Sequence, residues 1–148
     1  MKAHANEILL VEDNPADAEL TARALNEHDL AGAIYHVRDG QEALDYLFGR
    51  GLYAYRNGGV APKLVLLDLK LPRVNGLEVL RRIKSDDKTR RIPVVVFTSS
   101  PEERDIVESY DLGVNSFVVK PVHPEEFAQT ICEVGLYWLM HNSPSDGT

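Results

Sequence analysis

Short apolar runs alternate with amphipathic stretches five times along the chain. Glu7 to Glu12 (EILLVE) reads as a strand. Asp13, Asn14 and Pro15 follow, residue types that start helices, with Pro15 suited to the first turn. The next stretch puts Ala16, Leu20 and Ala24 on one helix face. Ala33 to Val37 (AIYHV) is a second strand, and Gln41 to Phe48 a short helix with Ala43, Leu44, Leu47 and Phe48 inward. A Gly- and Pro-bearing segment, Gly49 to Pro62, predicts a loop longer than compact α/β connections usually are. Leu64 to Asp68 (LVLLD) lacks polar alternation, as a strand covered on both faces should. Gly76 to Ser85 predicts a helix with Leu80 and Ile83 on one side, and Pro93 to Thr98 a fourth strand. Pro101 to Leu112 predicts a helix that groups Ile106, Val107 and Tyr110 and stops at Gly113. Ser116 to Lys120 is the fifth strand. A last helix runs from Pro124 to about Met140, with Phe127, Ile131, Val134 and Trp138 in its stripe.

Strands alternating with helices imply an α/β fold: a doubly wound, five-stranded parallel sheet with right-handed crossovers. In such sheets the chemistry lies beyond the carboxyl ends of the strands. One domain spans 1–148, with a core of about residues 7–140 and a flexible polar tail at 141–148. Repeats and low-complexity tracts are absent from the sequence.

Composition narrows the function. The net charge of −7 argues against nucleic acid and anionic membranes as direct partners. No apolar run approaches the roughly 20 residues of a membrane span, and the acidic start is unlike a signal peptide, so the cytoplasm is the expected location. The single cysteine, Cys132, has Phe127, Ile131 and Val134 for neighbours and is expected to be a buried structural thiol.

The strand ends carry the chemistry. Glu12 and Asp13 end the first strand, Asp68 the third, Thr98 and Ser99 the fourth, and Lys120 the fifth. Each has an ordinary explanation alone; Asp13 would serve as a helix cap. Together they place three acids, a hydroxyl and an ammonium in one crevice. Clustered carboxylates need a proton or a cation among them. All-oxygen donors suit Mg²⁺, and no HxxxH or CxxC set points to zinc. Mg²⁺ with Asp and Lys suits phosphoryl transfer, and a carboxylate can itself be the nucleophile.

The segments LVEDN, VLLDLKLPRVNG, VFTSS and SFVVKP resemble, in order and spacing, the receiver domain of two-component response regulators. The resemblance covers about Glu7 to Met140 and implies the flavodoxin-like (βα)5 receiver fold. It implies that Asp68 accepts a phosphoryl group, and that Glu12, Asp13, Asp68 and the Lys70 backbone carbonyl bind Mg²⁺. Thr98 and Lys120 would contact the phosphoryl group, Phe117 would be the switch aromatic, and the Lys120–Pro121 bond would be cis. No output domain follows, so a stand-alone phosphoacceptor switch or relay, and not an enzyme beyond slow self-dephosphorylation, is expected. The long loop before the third strand and the ending ICEVGLYWLMHN resemble the subgroup paired with phytochrome-type histidine kinases.

Two positions depart from the family's usual pattern: Lys70, two after Asp68, and Ser100, two after Thr98. The Lys70 side chain would either pair with the acids or point to solvent. The family resemblance also implies a homodimer through the fourth helix, fifth strand and fifth helix. Leu136 to Met140 are consecutive apolar residues that cannot all face one side of a helix, and Trp138 and Leu139 are the expected dimer contacts. Two rival functions remain open to test. A Mg²⁺-dependent aspartyl-phosphate phosphohydrolase of the haloacid dehalogenase type would want a second Asp where Lys70 stands. A flavodoxin-like ligand binder would want a Gly-rich loop where VEDNPAD stands.

Overall fold

The structure is a computed structural model that describes residues 7–28, 32–56, 61–109 and 113–141. Its five strands are β1 (Glu7–Val11), β2 (Ala33–Val37), β3 (Leu64–Leu67), β4 (Val94–Thr98) and β5 (Ser116–Val119). All neighbouring pairs are parallel, in the order β2-β1-β3-β4-β5. The order reverses between β1 and β3, where a crevice opens at the strand ends. Register aligns Val11 with Leu67 and Thr98 with Val119. One residue further on, Glu12, Asp68 and Lys120 therefore leave the sheet at the same edge.

Strand side chains alternate between two cores. Leu9, Val11, Val65, Leu67, Val94 and Val96 face α2 (Gly40–Phe48) and α3 (Gly76–Ser85). Ile8, Leu10, Leu64, Leu66, Val95 and Phe97 face α1 (Pro15–Glu27) and α5 (Pro124–Gly135). The central strands β3 and β4 are buried throughout, which explains why their sequences lack polar alternation. The starts of α1, α2 and α3 are fixed by side-chain caps. Asn14, Asp39 and Asn75 accept hydrogen bonds from the backbone N–H groups of Asp17 (3.0 Å), Glu42 (2.7 Å) and Glu78 (3.0 Å).

Several expectations are corrected. The buried face of α1 is Ala18, Thr21, Ala24 and Leu25, while Ala16 is exposed. Thr21 was not counted as apolar, but its hydroxyl donates to the Asp17 carbonyl at 2.8 Å and its methyl can then face the core. In α2, Tyr46 is buried as well, while Leu47 and Phe48 pack half-buried against the same core, as expected. Gly51–Arg56 is a 3-10 helix, not loop. It is held by Tyr53, whose hydroxyl donates to Glu42 Oε2 (2.6 Å) and pairs with the Tyr35 hydroxyl (2.8 Å). Helix α4 (Glu103–Ser109) starts two residues late; Val107 is buried but Ile106 is exposed. Tyr110, Leu112, residues 57–60 and the tail from 142 lie outside the described residues.

The last helix changes character after Gly135 and continues as a π-helix, Leu136–His141. The wider turn changes which side chains face inward. Trp138 and Leu139 join the α1/α5 core, whereas Leu136 and Tyr137 are exposed. The two residues expected to meet a second copy are therefore enclosed by their own chain. Cys132 is half-buried, its Sγ 3.8 Å from the Ala24 carbonyl, and burial pushes its thiol up, away from reactive thiolate.

Candidate functional site

Glu12 and Asp68 leave adjacent strands. Asp68 is pinned by its own N–H, which donates to the Val11 carbonyl at 3.0 Å. Asp68 Oδ1 accepts from the Lys70 N–H at 3.0 Å, and Glu12 Oε2 accepts from the Asn14 N–H at 3.1 Å. The imidazole Nε2 of His36 hydrogen bonds the Glu12 carbonyl at 2.7 Å, which ties the edge strand β2 to the same turn. Gly76 makes the close approach of α3 possible. A Cβ there would lie 2.5 Å from the Asp68 carbonyl oxygen and 2.4 Å from Leu69 Cα.

Lys120 answers how the buried acids are tolerated. Its ammonium donates to Glu12 Oε1 (2.8 Å), Asp68 Oδ2 (2.8 Å) and Asp17 Oδ2 (2.9 Å), using all three of its hydrogens. Burial alone would lower the Lys120 pKa; its hydrogen bonds to Asp68, Glu12 and Asp17 outweigh it and hold the amine charged. Burial pushes the Glu12 carboxyl up to about 7, a rise that Lys120 opposes and Asp68 reinforces. Asp13, by contrast, is exposed and gives the site its opening to solvent.

Carboxylate oxygens of Glu12, Asp13 and Asp68 lie within 4.8 Å of one another. An all-oxygen, acid-rich set with one solvent-facing member fits a hard divalent cation such as Mg²⁺ or Mn²⁺. Lys70 lines the same cavity as Asp13. Its side chain is exposed and makes no ion pair among the described residues, which resolves that alternative toward solvent. The Lys120–Pro121 bond is trans, against the expectation of cis. Trans is the lower-energy form of an X–Pro bond by about 0.5–1 kcal/mol, and Lys120 reaches its three carboxylates from it.

Thr98 is fully buried, and its hydroxyl donates to Glu103 Oε1 at 2.7 Å. Phe117 is half-buried. The Arg104 guanidinium lies 4.7 Å from its ring centroid and donates to its carbonyl at 3.3 Å. The structure thus gathers Glu12, Asp13, Asp68 and Lys120, and sets Thr98 and Phe117 beside α4. Asp17 and Glu103 were not singled out from the sequence. Asp17 stands one helical turn after Asp13, and Glu103 closes a Ser-x-x-Glu pattern with Ser100; either spacing was a usable signal.

Comparison with known proteins agrees with this geometry. The profile of the family described as "Response regulator receiver domain" matches residues 8–132. Response regulator Rcp1 of Synechocystis sp. is 37% identical over 132 residues, covering 89% of this chain and 88% of Rcp1. The Mn²⁺-bound form of Rcp1 superposes with a TM-score of 0.85 at 35% identity, covering 95% of this chain and 99% of that one. The phosphorylated cyanobacterial phytochrome response regulator RcpA also gives 0.85, at 42% identity, with 95% and 99% covered. The bacteriophytochrome response regulator AtBRR is 55% identical, with a TM-score of 0.75 over 93% of this chain and 97% of that one. The phosphohydrolase alternative finds no support: the position two after Asp68 holds an exposed lysine, not an acid. With its parallel sheet, its acid pair bridged by Lys120 and this family match, the chain belongs to the response regulator receiver domains of two-component systems.

Proposed function

We propose that Asp68 accepts a phosphoryl group from a histidine kinase of the phytochrome type, and that the resulting charge switches the surface around Thr98 and Phe117. The observation that carries this reading is Asp68 itself. It is a buried carboxylate aligned by the Lys70 N–H and shared with Glu12 by one ammonium, at the mouth of an acidic crevice. A lone buried carboxylate would be costly, so this arrangement marks a site rather than packing.

In the transfer, an Asp68 carboxylate oxygen attacks phosphorus. The O–P bond forms as the P–N bond to the kinase histidine breaks, and the imidazole leaves neutral. Lys120 Nζ already lies against Asp68 Oδ2 and exchanges part of its contact for a phosphoryl oxygen. Thr98 would donate its hydroxyl to another. Glu12, Asp13, Asp68 and the Lys70 carbonyl would hold a divalent cation, which would supply charge neutralisation for the transferred group. Asp17 keeps Lys120 anchored throughout. The protein is on this reading a phosphoacceptor switch with at most slow self-dephosphorylation, rather than an enzyme with a separate substrate.

The acidic net charge and the absence, among the described residues, of any helix long and apolar enough to cross a membrane suit a cytoplasmic partner of a kinase. A homodimer through the α4, β5 and α5 face belongs to the same proposal. In it the exposed Leu136 and Tyr137, rather than the enclosed Trp138 and Leu139, meet the second copy. The test is phosphotransfer from a radiolabelled phytochrome-type histidine kinase. Label should move to the wild type in Mg²⁺, and fail to move to Asp68→Asn or in excess chelator. Transfer that survives Asp68→Asn would overturn the assignment.

A further inference from the structure

A threonine hydroxyl has one hydrogen to donate. In Thr98 it goes to Glu103 Oε1 at 2.7 Å, while Thr98 Oγ1 accepts from the Ser100 N–H at 3.3 Å. The hydroxyl's one donor hydrogen is thus committed on the α4 side. The sequence Ser100-Pro101-Glu102-Glu103 has capping-box spacing, in which the glutamate normally turns back to the N–H of the serine. Here that N–H is given to Thr98, and the glutamate takes the threonine proton instead. Glu103 also lines the cavity of about 520 Å³ that Asp13 and Lys70 share. The next residue, Arg104, holds Phe117 through its ring and its carbonyl. One turn of α4 therefore grips both residues expected to move.

We propose that Glu103 is a positioning residue that keeps the receiver off by sequestering the Thr98 hydroxyl, with Arg104 retaining Phe117 in the same state. This rests on the reading that Asp68 is phosphorylated and that Thr98 answers it. The hydroxyl cannot donate to Glu103 and to a phosphoryl oxygen at once. Release of Glu103 frees the threonine proton and loosens the turn that carries Arg104. The switch then responds to the difference between the two hydrogen bonds, not to the strength of either. Glu103 sets the threshold, and it does so without touching the transferred group.

The experiment measures the affinity of the full chain for beryllofluoride, a phosphoryl mimic, in Mg²⁺. Parent, Glu103→Ala, Glu103→Gln, Thr98→Ala and Thr98→Ala/Glu103→Ala are compared. Loss of a charge-assisted acceptor should tighten binding by Glu103→Ala about tenfold. Glu103→Gln, which keeps an acceptor, should stay within about threefold of the parent. In the Thr98→Ala background, removing Glu103 should change nothing, because the hydroxyl is already gone. An unchanged or weaker Glu103→Ala overturns the inference, as does a gain of the same size without Thr98. A parent that takes up no beryllofluoride overturns the phosphoacceptor reading and this inference with it. Normal uptake with no Glu103 effect overturns this inference alone.

Discussion

Lys120 is the residue on which the site balances. A single ammonium reaches three carboxylates from three separate elements, and the charge it supplies lets Glu12 and Asp68 stay buried. The principal residues were legible in the sequence because each ends an apolar strand, where a charged or hydroxylic side chain stands out. Asp17 and Glu103 carry only a weaker spacing signal, because acids at helix starts are common and are favoured by the helix dipole whatever else they do. Nor could the sequence say that Thr98 would donate to Glu103. That depends on the turn between Thr98 and α4. Gly76 is equally specific. An added Cβ would meet the Asp68 carbonyl oxygen at 2.5 Å, and backbone cannot yield cheaply. Gly76→Ala should lower stability by about 1–3 kcal/mol in denaturant titration and slow phosphorylation of Asp68 at the same time. A variant with parent stability would show that α3 approaches less closely than described.

At the scale of elements, the alternation of strands and helices was read correctly, since each strand is apolar and each helix start has Asn, Asp or Pro. The failures have physical causes. Gly49 to Pro62 looked like loop because Gly and Pro dominate the impression, yet Tyr53 anchors a 3-10 helix against Tyr35 and Tyr46. The regular helical period already places Trp138 in the inward stripe; what it misses is the π-helix after Gly135, where Leu139 is enclosed beside Trp138 while Leu136 and Tyr137 stay exposed. The start of α2 offers a test of local control. Although burial acts to raise its pKa, the Arg73 guanidinium and the Glu42 N–H hold the Asp39 carboxyl below its ordinary value of 3.8. A depressed acid stabilises the fold above its unfolded value and loses that contribution as pH falls through the folded one. Asp39→Ala should therefore cost about 1 kcal/mol at neutral pH by urea titration. The gap to the parent should narrow once pH drops below 3.8. A gap that persists undiminished in acid would assign the loss to packing instead of charge.

Across the whole molecule, the acidic crevice and the C-terminal end are linked through β5. Phe117 sits beside α4, and its neighbour Ser116 accepts a hydrogen bond at 3.2 Å from the indole N–H of Trp138. The residue beside Phe117 on β5 is thus tied to the π-helix that displays Leu136 and Tyr137. If that surface pairs two copies, sedimentation should give a dimer for the parent and a monomer for Leu136→Ala/Tyr137→Ala. A parent that stays monomeric at high concentration removes the dimer from the account without touching the switch. The switch stands or falls on Asp68. The direct measurement is the intact mass of the chain after incubation with acetyl phosphate and Mg²⁺. The account predicts a gain of about 80 Da, one phosphoryl group, that disappears in Asp68→Asn and in excess chelator. An unmodified parent that still binds Mg²⁺, or an adduct that persists in Asp68→Asn, would contradict it.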